Sequence, residues 1–109
     1  LNKKDKTCKE RIQDSWEFTK NQLKEVISGK ESIWNLALAW DKDFHESFTD
    51  LSPCDSLCLS YGGPADYIRF YHNGQISYVF QDWFDGAEIF LSGEDFKLAK
   101  EIKDLLYEY

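Results

Sequence analysis

The sequence predicts an α+β domain with N-terminal helices, a three- to four-stranded antiparallel sheet and a C-terminal helix. Three observations point there. Apolar residues recur at helical spacing near both ends, the pattern changes to alternation after Pro53, and an Asn73-Gly74 pair sits between two alternating runs. With 109 residues the chain has room for one domain, 1–109, of which 1–7 are polar and expected to fray. Hydrophobic residues at 42% and aromatic ones at 17% supply a core, which excludes global disorder despite 30% charged residues.

The first helix is read from Ile12, Trp16, Leu23 and Ile27, about five turns ended by Gly29, which enters a left-handed conformation at little cost. From Ile33 to Trp40 the run is apolar on nearly every side; its alanines and the preceding Ser32 favour a short buried helix over a core strand. Asp43 to Leu51 adds a helical turn or two, with Phe44 and Phe48 on one side, and Pro53 stops it. Leu57 and Leu59 then flank Cys58 in a short strand that breaks at Gly62, Gly63 and Pro64.

Tyr67 to His72 and Gln75 to Gln81 form a hairpin closed by a two-residue turn at Asn73-Gly74. That register pairs Phe70 with Ser77 and Ile68 with Val79. It puts Ile68, Phe70 and Val79 on one face and Tyr67, Arg69, Tyr71, Ile76, Tyr78 and Phe80 on the other. A further strand follows with Ala87, Ile89 and Leu91, completing a meander. Ser92 and Asp95 make a variant capping box for the last helix, marked by Phe96, Ala99, Ile102 and Leu106.

The charge distribution carries most of the functional information. The net charge is −7, but residues 1–30 hold eight Lys/Arg against five Asp/Glu, and residues 31–109 hold five against fifteen. Between Asp43 and Phe96 ten carboxylates face one basic side chain, Arg69. Such a field repels nucleic acid and anionic membranes and attracts a cationic protein groove. The segment Asp82, Trp83, Phe84, Asp85 and Glu88 sets two aromatic rings inside a charged rim, which is the make-up of an interface hot spot. Asp43, Glu46 and Asp50 form a second acidic stretch, and Tyr67, Tyr71 and Tyr78 supply rings on the aromatic hairpin face.

Catalytic and cofactor motifs are lacking. Gly62 and Gly63 are not followed by the Lys and helix start of a phosphate-binding loop, and suitable carboxylate pairs arise by chance among twenty. Cys8, Cys54 and Cys58 are too few for a disulfide framework, so a cytoplasmic location is expected; the alternatives are a Cys54–Cys58 bridge or a zinc site in which His45, His72 and Cys8 complete the ligands of that pair. No stretch approaches the ~18 apolar residues of a membrane span.

In size and composition the chain resembles the broad class of small acidic inhibitors of bacteria and their phages: nuclease-toxin immunity, anti-restriction and anti-CRISPR proteins. The likeness is one of composition and not of motif. It implies a non-enzymatic protein that occupies the cationic channel of a nuclease or other nucleic-acid-binding protein, with no cofactor, no direct nucleic-acid contact and no membrane. Two alternatives stand beside it: a small regulatory or structural interaction domain without electrostatic mimicry, and a cysteine-dependent enzyme.

Overall fold

The structure is a computed structural model that describes residues 7–44, 53–62, 64–82 and 84–108, with the side chains of Asp43 and Phe44 outside the description. Its elements are α1 (Cys8–Ile27), α2 (Ile33–Leu36), β1 (Ala39–Phe44), β2 (Cys54–Ser60), β3 (Ala65–Tyr71), β4 (Ile76–Asp82), β5 (Asp85–Phe90) and α3 (Gly93–Tyr107). The strands form one antiparallel sheet in the order β1-β2-β3-β4-β5. The α+β class and the meander agree with expectation, but the described residues form five strands where three or four were read.

Helix α1 begins one residue after Thr7, whose side chain accepts from the Glu10 amide while Glu10 Oε1 accepts from the Thr7 amide. This capping box meets two otherwise unpaired donors. Thr7 is the N-cap of α1, and residues 1–6 lie outside the described residues. At the other end Gly29 takes a φ of 86°, as the reading of that position required.

The apolar run after Glu31 divides. Ser32 caps a helix of only four residues, Ile33–Leu36, and the chain turns extended at Ala37. Trp40 belongs to β1, where it pairs with Leu57. The helical turns expected over Asp43–Leu51 are contradicted at Asp43 and Phe44, which lie in β1, while 45–51 fall outside the described residues. Sheet pairing with β2 overrides the helix preference of the alanines.

The hairpin also departs from its reading by one residue. The Tyr71 amide donates to the Gln75 carbonyl at 2.8 Å and the Gly74 amide to the Tyr71 carbonyl at 2.9 Å. The loop is thus three residues, His72, Asn73 and Gly74, with Gly74 at a φ of 97°. Phe70 now opposes Ile76, Ile68 opposes Tyr78, and Tyr67 opposes Val79. Since side chains alternate, this shift places Asp66, Ile68, Phe70, Ile76, Tyr78 and Phe80 on one face.

That face is the core. Ile12, Trp16, Leu23 and Val26 of α1 and Ala99, Ile102 and Leu106 of α3 pack with Leu57, Ile68, Phe70 and Tyr78 of the sheet. Trp16 lies 5.1 Å from Tyr78 between ring centroids. The expected Ser92 cap is not made: its side chain has no capping bond, and Asp95 instead accepts from Trp16 Nε1 at 2.9 Å, tying α3 to α1. No described helix is long and apolar enough to cross a membrane.

Candidate interaction site at the β4–β5 turn

The turn between β4 and β5 is pinned to the start of α1 by two carboxylates. Asp82 and Asp85 are opposed across the ladder, a placement in which like charges destabilise. Each has its own complement. Arg11 Nη1 donates to Asp82 Oδ2 at 2.5 Å, and its guanidinium lies 4.9 Å from the centroid of the Phe80 ring. The Cys8 amide, in the first turn of α1, donates to Asp85 Oδ2 at 2.7 Å, so Asp85 sits where the helix dipole favours an anion. This bond from Cys8, with another from the Gly86 amide, holds the Asp85 carboxyl below the ordinary carboxylate range.

Phe84 lies on this clamped turn and is fully exposed, touching none of the core. Trp83, its neighbour, falls outside the described residues. On the sheet face turned away from the helices, Glu88 Oε2 accepts from Tyr71 Oη at 2.6 Å and from Ser77 Oγ at 2.5 Å. Tyr71 is buried, its hydroxyl pushed up by that burial and by Glu88, and its ring lies 5.9 Å from the ring of Phe90, which is 54% exposed. Tyr67 shares this face and is half-buried.

Tyr78 does not. It is fully buried on the core side, its hydroxyl 2.6 Å from Asp66 Oδ2 and 2.7 Å from Ser15 Oγ. The one-residue difference in register explains why a ring read as surface faces the helices. Asp43 lies in β1 without a described side chain, and Glu46 and Asp50 lie outside the described residues. The structure thus gathers Asp82, Phe84, Asp85 and Glu88 along one turn and strand, adds Tyr67 and Tyr71 on the adjoining face, and removes Tyr78 to the interior.

Sequence reading missed Arg11 and Phe90. Arg11 lies among the eight basic residues of positions 1–30, and only the fold brings it to Asp82. A second feature, unforeseen, is a cleft of about 630 Å³ lined by Lys42, Asp55, His72, Lys103, Asp104 and Tyr107 among others. There His72 Nε2 is 3.2 Å from Asp55 Oδ1, and the Lys42 ammonium lies 5.0 Å from the Tyr107 ring centroid.

The cysteines are free thiols, all buried. Cys54 and Cys58 are four residues apart along β2, about 13 Å at strand rise, which is too far for the bridge considered above. Burial pushes each of the three thiols up, reinforced by Asp85 at Cys8, Asp55 at Cys54 and Asp66 at Cys58. A nucleophilic cysteine needs the opposite shift. No group of three or more His, Cys, Asp or Glu residues suited to a metal ion occurs among the described residues. Comparison with protein-family models, with curated proteins and with solved structures finds no match in any of the three.

Proposed function

We propose that this chain is a non-enzymatic binding protein that inhibits a basic partner, of the kind that processes nucleic acid, and that the β4–β5 turn is its anchor. The observation that carries the reading is Phe84: a fully exposed ring on a turn fixed by Asp82–Arg11 and by Asp85 on α1. A turn whose backbone is fixed before binding has less to order on association, which helps an exposed ring on it serve as a hot spot. The net charge of −7 supplies steering toward a cationic surface.

Asp82 and Asp85 work inside the molecule, so their neutralisation would disturb α1 as well as any partner. The charge test is therefore ionic strength. The purified chain is used to capture its partner from cells, and the affinity is measured from about 50 to 500 mM salt. Inhibition by charge complementarity predicts binding that weakens steadily over this range. Binding indifferent to salt would select the second reading, a regulatory interaction domain without mimicry. That reading draws support from the internal partners of Asp82 and Asp85 and the burial of Tyr71 and Tyr78.

A further inference from the structure

The sheet ends in two edges that differ in kind. β1 carries a register irregularity between Asp41 and Phe44 and exposes Asp41 and Lys42, devices that discourage another strand from joining. β5 is regular over its pairing with β4 and contains neither Lys nor Pro.

The phase of its hydrogen bonds follows from the Leu91 amide, which donates to the Ile76 carbonyl at 2.9 Å. In the same register Ile89, Ala87 and Asp85 bond to β4, while Phe90, Glu88 and Gly86 point their amides and carbonyls away from it. The Gly86 amide is met by Asp85 Oδ1 at 2.9 Å. Those of Glu88 and Phe90 meet no other described backbone group.

The side chains along this edge have a definite character. From Gln81 to Phe96 there are five carboxylates and no Lys or Arg. Three of these, Asp82, Glu94 and Asp95, pair with Arg11, Lys97 and Lys20. Asp85 and Glu88 are instead held by uncharged N–H and O–H donors, so the edge itself stays anionic. Phe84 and Phe90 add exposed apolar surface at its two ends.

We infer that β5 accepts an extended segment bearing Lys or Arg as a sixth strand, contributed by the basic partner. The inference rests on the preceding reading for the sign of the partner's charge. Main-chain bonds at Glu88 and Phe90 provide the pairing, Phe84 and Phe90 cover apolar side chains of the incoming strand, and Asp85 and Glu88 meet its cations.

The probe is a fluorescein-labelled octapeptide of alternating Lys and Val with blocked ends, followed by anisotropy and by amide NMR of the full chain. Binding should shift the Glu88 and Phe90 amides, and a peptide of alternating Glu and Val should not bind. Phe90→Pro removes only an outward amide and leaves the β4 ladder whole, so it should weaken the peptide at least about tenfold relative to Phe90→Val, which keeps the amide. Equal binding by the two variants, or shifts elsewhere than β5, would overturn the inference. So would concentration-dependent shifts of the same amides without peptide, which would assign the edge to a second copy. The two proposals fail separately. A captured basic partner whose salt-sensitive binding ignores Phe90→Pro leaves the inhibitor reading standing and removes strand addition. Peptide docking at β5 together with salt-independent partner binding does the reverse.

Discussion

Replacing Phe84 by alanine should leave folding untouched while weakening the complex. The ring is fully exposed and the turn beneath it is held by Asp82–Arg11 and Asp85–Cys8, neither of which involves the Phe84 side chain. Truncation therefore removes no buried area, and the unfolding free energy should stay within about 0.5 kcal/mol of the parent. A phenylalanine ring that becomes covered in an interface buries roughly 150–200 Å², or about 4 kcal/mol at 25 cal/mol per Å², less what the alanine methyl recovers. A loss of about 2–4 kcal/mol corresponds to roughly 30- to 1000-fold in affinity, expressed mainly as faster dissociation. Urea denaturation gives the first quantity and surface-immobilised kinetics with the captured partner the second. A partner affinity within twofold of the parent would refute the anchor, and a destabilisation beyond about 1 kcal/mol would refute the geometry from which it was argued.

Three further outcomes follow from contacts and backbone geometry within the chain. Tyr78→Phe deletes a hydroxyl from buried Asp66 and should cost about 1.5–3 kcal/mol in urea midpoints at neutral pH. Burial, and then the Asp66 bond, push the Tyr78 phenol well above its ordinary value. The stability it contributes is complete below about pH 10 and declines above, so the variant should show a shallower alkaline limb. Asp85 is the opposite case: its carboxyl is lowered, so its contribution is present above the ordinary carboxylate range and lost as pH falls through the depressed value. Asp85→Asn should flatten the acid limb, followed by helical circular dichroism from pH 7 to 2. Gly74→Ala meets no neighbouring atom but must hold a φ of 97°, which should cost on the order of 1–2 kcal/mol by thermal melting; a neutral result would refute the three-residue turn.

Local chemistry was legible where local forces decide. The stripe Ile12, Trp16, Leu23, the Gly29 stop and the Asn73-Gly74 turn all describe events within a few residues, and each is present. Register was not legible, because an Asn-Gly pair serves a two-residue loop or a three-residue loop with glycine in the left-handed position. One residue of difference exchanged the faces and sent Tyr78 inward. Strand β1 was hidden because its residues, Ala39 to Phe44, carry no β-branched side chain, and it exists by pairing with β2. At the candidate site the exposed ring in an acidic turn could be read, whereas the duties of Asp82 and Asp85 could not. Their partners, Arg11 and Cys8, lie 71 and 77 residues away.

That separation sets an order of events during synthesis. Helix α1 leaves the ribosome before the sheet, yet the strands that cover Trp16 and the carboxylate that receives its first amide emerge among the later residues. At 5–20 residues per second, its apolar stripe waits roughly 4–15 s for them. The capping box of Thr7 and Glu10 is built from neighbours within three residues, so it can keep the nascent helix wound during that interval.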